Sequence, residues 1–230
     1  MATESSDDPP LDDWDISAID PGFRVFRRQQ HYDDFADAEH AARAVASEIE
    51  LNAAARSPLY VAVHAAVVAA TNGAIVIPGR SLAGKSVLTA ALLRLGACYL
   101  SDEYALLDEN GLVHPYPRKL RIRREHQRHP ALVPPEDLGG QTASDSVQVR
   151  LIAQLWHEPG ATLNLGSLTP GEAVLALIDN AVPATVNPRR TLEWCAAAAS
   201  GAVAVSGPRG EADVTARRLL EMLSEVGPSA

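Results

Sequence analysis

The chain has only two cysteines in 230 residues, Cys98 and Cys195, and neither belongs to a C-x-x-C pair. That argues against a disulfide framework or a cysteine-built metal site, and it fits a reducing cytoplasm. No apolar run reaches the roughly 18–20 residues of a membrane span. The N-terminus is acidic and lacks the apolar stretch of a signal peptide. Basic charge is in short supply as well: 20 Lys and Arg face 29 Asp and Glu, a formal net charge of −9. A general nucleic-acid binder normally carries a basic surface. The expectation is a cytoplasmic protein with no membrane and no nucleic-acid partner.

What is present suits a globular chain. Hydrophobic residues make up 47%, enough for one sizeable core. Residues 1–20 hold seven acids and no Lys or Arg, a composition that predicts a flexible, solvated tail. Residues 21–230 show no linker and no internal repeat, which predicts one domain. Phe23 to Arg27 alternates as a strand, and Asp34 to Ala54 patterns as a helix that Pro58 ends. Tyr60 to Ala70 is rich in Val and Ala and reads as a second strand. Asn72-Gly73 follows, a strong hairpin signal because both turn positions take positive φ. Asn110-Gly111 is a second such signal. Val147 to Trp156 is ambiguous between strand and helix. Thr169-Pro170-Gly171-Glu172 is a capping box that opens a helix. Further helices are expected from Pro188 to Ser200 and from about Glu211 onward. Residues 125–147 read as a loop.

The chemistry centres on Gly79-Arg80-Ser81-Leu82-Ala83-Gly84-Lys85-Ser86, a G-x-x-x-x-G-K-S string. In such a loop backbone N–H groups cradle phosphates, the lysine reaches the outer phosphates and the serine hydroxyl binds Mg²⁺. Ala74 to Ile77 before it reads as a buried strand. Val87, Leu88, Ala91, Leu92 and Leu95 after it fall on one helical face, with Thr89 and Arg94 elsewhere. Strand, loop and helix N-terminus are the context the motif requires. Gly79 through Val87 are therefore candidate nucleotide-binding residues.

Phosphoryl transfer also needs carboxylates, to hold Mg²⁺ and to orient or deprotonate the attacking hydroxyl. Asp102 and Glu103 follow the strand after the loop's helix. Neighbouring side chains on a regular strand point to opposite faces, so both serve one site only if the backbone turns there. His64 lies in an apolar strand upstream. Arg118, Lys119, Arg121, Arg123 and Arg124 form a basic run suited to phosphates or an acidic substrate, or simply to a solvated strand face. Arg209 precedes the last helix and can reach an anion. His126, His129 and His157 have no partner at metal-ligand spacing.

His64-Ala65, about fifteen residues before Gly79, then the loop, then Leu100-Ser101-Asp102-Glu103, together resemble the C-terminal kinase domain of HPr kinase/phosphorylase. The string from Tyr99 to Asp108 with His114-Pro115-Tyr116-Pro117-Arg118 is similar to the short HPr-kinase-like proteins found beside peptide and natural-product genes. The resemblance covers residues 60–125 well and the remainder loosely. It implies an α/β fold of the kind shared with phosphoenolpyruvate carboxykinases: a mixed, antiparallel-rich sheet with flanking helices. It implies that His64 contacts the reacting phosphate or orients the acid, that Asp102 is the general base, and that Glu103 lies near the metal. Some members of that group phosphorylate a serine of a lasso-peptide precursor, and such kinases often form rings. Leu82 stands where the family's loop commonly has glycine.

These readings converge on an ATP- and Mg²⁺-dependent kinase acting on a hydroxyl, foremost serine of a peptide or protein. Lys85, Asp102 and His64 are the expected catalytic residues, Ser86 and Glu103 the metal ligands, and Arg118, Arg121 and Arg209 the candidate substrate or phosphate contacts. The alternatives are a small-molecule hydroxyl kinase and a non-catalytic nucleotide-binding module. A homo-oligomer is compatible with any of these.

Overall fold

The structure, a computed structural model, describes residues 13–79, 84–122 and 131–226. It contains two compact units, Met1–Arg56 and Ser57–Ala230, a division inside the span 21–230 that reads in sequence as one domain. Loop residues Arg80, Ser81, Leu82 and Ala83 lie outside the described residues, as do Arg123, Arg124, His126 and His129.

In the first unit, β1 (Trp14–Ile19), β2 (Gly22–Arg27) and β3 (Gln30–Phe35) form an antiparallel meander, followed by α1 (Ala38–Arg56). The solvated tail expected over residues 1–20 is thus corrected for 14–19, which pair residue by residue with β2. The reason lies in a few apolar groups within an acidic window. Trp14, Phe23 and Phe35 pack on a small core of Val25, Ala41 and Val45, while Asp15 stays exposed. The Trp14 ring also meets Tyr32 edge-on at 5.2 Å and lies under the Arg27 guanidinium at 5.3 Å. Asp34 and Phe35, expected to open the helix, end β3 instead. The helix starts where Asp37 Oδ1 accepts the His40 N–H at 2.9 Å, a side-chain cap for an otherwise unsatisfied donor.

The second unit contains, in order, β4 (Val61–Ala70), β5 (Gly73–Pro78), α2 (Lys85–Arg94), β6 (Cys98–Ser101), β7 (Tyr104–Leu107), β8 (Leu112–His114), β9 (Leu120–Ile122) and β10 (Ala131–Val133). Then come β11 (Val147–His157), β12 (Gly166–Ser167), α3 (Pro170–Ile178), α4 (Pro188–Ala199), β13 (Val203–Arg209) and α5 (Ala212–Glu225). Eight strands make one mixed sheet in the order β12-β13-β11-β5-β4-β7-β8, with β6 also on β4. The pairs β5–β11 and β11–β13 are parallel, and the other pairs antiparallel. The fold is mixed α/β with flanking helices, as expected. β9 and β10 pair separately.

Strand alternation sorts the core into two layers. Val61, Val63, Ala65 and Val67 of β4 face a cluster with α3 and α4 residues Ala173, Leu177, Cys195 and Ala198. Ala66 and Val68 face the other side, with Leu88 and Leu92 of α2 and Leu219 and Leu223 of α5. Each fully buried Leu or Ile in these layers contributes about 1.5–3 kcal/mol relative to exposure. By the same alternation His64 belongs to the α2 face. Both cysteines are unpaired thiols.

Three local expectations change. β4 and β5 do form the antiparallel hairpin, but the register Ala70↔Gly73 makes Thr71 and Asn72 the turn residues. Positive φ is needed only at Gly73, at 133°. Asn72 is held differently: its Nδ2 donates to the carbonyls of Leu223, Ser224 and Val226 at 3.1–3.2 Å, closing the end of α5. On α2 the buried face is rotated from the one expected, with Val87 46% and Leu95 42% exposed and Thr89 fully buried. Thr89 can be buried because its hydroxyl is hydrogen-bonded, as described below. The ambiguous stretch from Val147 is a strand, and β13, which the sequence reading passed over, lies beside it. Within the expected loop 125–147 the described part contains β10 and a helical turn at Pro135–Leu138.

Asn72→Ala should remove the tie between the hairpin and α5. We expect a loss of about 1 kcal/mol in urea denaturation, with faster amide exchange confined to the last turn of α5.

Candidate functional site

Pro78, the last residue of β5, has no N–H to give to the ladder. Gly79 takes over: its N–H donates to the His64 carbonyl at 3.0 Å. The His64 N–H donates to the Asn180 carbonyl at 2.8 Å, so the backbone of His64 is fixed on both sides. Across the loop, Gly84 adopts φ 76° ahead of α2. That conformation costs an L-residue roughly 1–2 kcal/mol. A Cβ at Gly84 would also run into Nη2 of Arg209. Lys85 reaches back over the loop's ends, its Nζ donating to the Gly79 carbonyl at 2.7 Å.

Asp102 and Glu103 occupy the break between β6 and β7, both of which pair with β4. The backbone turns there because the buried Ser101 Oγ accepts the N–H groups of Glu103 at 3.3 Å and Tyr104 at 3.1 Å. This turn meets the condition the sequence imposed on two adjacent carboxylates. Both charges act on Lys85. Asp102 receives a hydrogen bond from the Ser86 side chain and one from Thr89 Oγ1 at 3.0 Å. Thr89 Oγ1 is also 3.0 Å from the Lys85 carbonyl, so one hydroxyl proton stands between two acceptors.

Burial dominates the electrostatics. Desolvation pushes the Asp102 carboxyl up to about 6, against the opposing pull of Ser86, Thr89 and Lys85. Desolvation also lowers Lys85, with Asp102 and Glu103 resisting. It lowers His64, with Glu103 raising it and Lys85 lowering it further. The imidazole stacks on Tyr104 at 4.8 Å between ring centres, tilted by 39°.

His64, Lys85, Ser86, Asp102 and Glu103 are therefore drawn together from β4, the start of α2 and the β6–β7 break. Arg209 joins them from the end of β13. It is only 3% exposed, and its guanidinium donates to the carbonyls of Gly84 at 2.9 Å and Gly210 at 3.2 Å. Desolvation lowers its pKa, with Glu211 opposing. Val87 turns outward, and Arg118 and Arg121 are on the surface. The sequence reading did not single out Thr89, Ser101 or Tyr104. For Ser101 and Tyr104 the available signal was their adjacency to the carboxylate pair. Thr89 gave none, because a threonine on a helix reads as polar and outward. Among the described residues no cluster of three or more His, Cys, Asp or Glu side chains is arranged to hold a metal by itself.

No protein-family model matches the chain, and no curated protein or solved structure matches it.

The raised Asp102 value gives a signed expectation. The folded carboxyl holds its proton up to about pH 6, while an unfolded one releases it near 3.9. The folded state binds more protons in between, so this group's stabilising contribution is present at low pH and is lost as pH rises from about 4 to about 6. Asp102→Asn, which keeps the shape without the charge, should abolish that decline and raise stability at pH 7 by at most about 3 kcal/mol. Urea titrations across pH on the metal-free protein check it; parallel wild-type and variant curves would contradict it.

Proposed function

We propose that this protein is a P-loop kinase of the HPr kinase type, transferring the γ-phosphoryl group of ATP to a hydroxyl, foremost a serine of a peptide or protein. The observation that carries the reading is the convergence of Lys85 and Ser86 with Asp102, Glu103 and His64 at the mouth of the G-x-x-x-x-G-K-S loop. The residues suit a polyphosphate. Gly84 caps α2 without a side chain, which leaves first-turn N–H groups for an anion, and Lys85 and Arg209 supply positive charge at the loop's second end. They also suit Mg²⁺, which is commonly held by one or two carboxylates, a hydroxyl and substrate phosphates. When bound, the Mg²⁺–ATP pair supplies the transferable group and the charge that polarises it.

The remaining chemistry belongs to the chain. Lys85, whose Nζ donates to the Gly79 carbonyl, would offset charge on the outer phosphates of a bound nucleotide. A carboxylate with a pKa near 6 is ionised at neutral pH and basic enough to take a proton, which suits Asp102 as general base for the acceptor hydroxyl. Glu103 and Ser86 then serve the cation, and His64 contacts or orients the reacting group. One observation favours a second division of labour. Ser86 bonds Asp102, so these two would hold the cation, and Glu103, whose charge acts on His64, would take the proton.

Lys85→Ala should lower acceptor-dependent ADP formation by about 10²–10³-fold. If Lys85→Ala and Asp102→Asn both keep full turnover on a verified acceptor, the kinase reading falls. ATP binding without turnover on any acceptor would favour the regulatory module. Mg²⁺ titrations divide the carboxylates: the variant, Asp102→Asn or Glu103→Gln, whose defect high Mg²⁺ partly relieves identifies the metal ligand.

A further inference from the structure

The phosphotransfer reading leaves the acceptor's chemistry open, and the segment Tyr116–Ile122 bears on it. Leu112 to Ile122 carries Arg118, Lys119 and Arg121 and no Asp or Glu, in a chain whose formal net charge is −9. All three cations are exposed, whereas Leu120 between them is fully buried and anchors the strand. Burial of Leu120 with alternation along β9 puts Lys119 and Arg121 on the outward side.

This segment is fastened to the strand that leads into the site. The Tyr116 N–H donates to the Leu100 carbonyl at 2.9 Å, and the buried Tyr99 hydroxyl donates to the Arg118 carbonyl at 2.8 Å. Leu100 is two residues from Asp102. A row of rings makes a second connection: His64 to Tyr104 at 4.8 Å, Tyr104 to Tyr116 at 6.1 Å, and the Arg118 guanidinium over Tyr116 at 5.7 Å. Arg118 Nη1 also donates to the Tyr116 hydroxyl at 3.4 Å. The row begins at the candidate reaction centre and ends at the cations.

We propose that Arg118, Lys119 and Arg121, with Tyr116, form the docking strip for an acidic acceptor peptide, whose serine is thereby led to His64 and Asp102. The proposal rests on the kinase reading for the word acceptor, and on the strip's charge and attachment for the word acidic. With a formal net charge of −9, the chain as a whole repels an acidic partner, and a local cationic strip attracts it. Such a partner is therefore oriented as well as held, and the attraction fades beyond a Debye length of about 10 Å at moderate salt. Nucleic acid is the less favoured occupant, because a backbone of phosphates would meet the same acidic surface over a longer track.

Fluorescence anisotropy tests this without catalysis. The probes are labelled peptides with a central serine flanked by glutamates, by glutamines or by lysines, together with a labelled single-stranded RNA. The wild type should bind the glutamate peptide best, with affinity falling as salt rises. The triple variant R118E/K119E/R121E should lose about tenfold or more of that affinity while keeping the wild-type melting temperature. Equal or absent binding of the glutamate and lysine peptides overturns the proposal, as does an undiminished affinity in the folded triple variant, or tighter binding of the RNA. ATP turnover is read separately. Glutamate-peptide binding without phosphotransfer keeps the strip and removes the kinase; phosphotransfer without charge preference does the reverse.

Discussion

The hydrogen bond from the Gly79 N–H to the His64 carbonyl is the constraint on which the candidate site depends. It prolongs the β4–β5 ladder one step past Pro78, which has no donor, and so delivers the start of the G-x-x-x-x-G-K-S segment to a fixed place beside the histidine strand. Every other member of the group is referred to that point. Lys85 returns to the Gly79 carbonyl, and the Ala65 N–H on the next residue of β4 donates to the Glu103 carbonyl at 3.3 Å. One strand thus addresses both the loop and the acidic turn, and the core packs against both of its faces.

The site accepts an electrostatic cost to bring these groups together. Burial acts against the charged form of Asp102, Lys85, His64 and Arg209 alike. Opposite charges and hydroxyl donors recover part of the penalty, but Asp102 remains well above an ordinary aspartate. Structural ion pairs elsewhere behave differently. Asp34 beside Arg24 and His31 is held low on an open surface, where pairing meets little desolvation. The contrast marks the β4–α2 corner as the place where charge is kept under strain rather than merely neutralised.

Much of this was legible from sequence where local chemistry dominates. The loop's ends, the hairpin between β4 and β5, the Asn110-Gly111 turn and the Thr169–Glu172 capping box follow from residues that act on near neighbours. Reading failed where the deciding partner is distant. The β4–β5 turn falls one residue earlier than expected, so Asn72 is its second residue, and its side chain is held by three carbonyls at the end of α5. Thr89 reads as surface until Asp102 is brought to it. β1 hides in an acidic window because only Trp14 and its partners across the meander justify it. β13 escaped notice between helices because strands buried beside other strands show no alternation, and with it went the placement of Arg209 against Gly84.

The hairpin has a consequence for how the molecule comes to exist as an ordered object. His64, the loop's ends, Lys85, Ser86, Asp102 and Glu103 all derive from the uninterrupted run between β4 and β7. Their mutual contacts close short loops, for which the loss of chain entropy is small. β11 and β13, which complete the sheet beyond β5, are recruited from much farther along the chain and bear Arg209 with them. The cradle is thus a local product of the sequence, and its second cation is a long-range one. Contact order separates the two parts of the site before any ligand does.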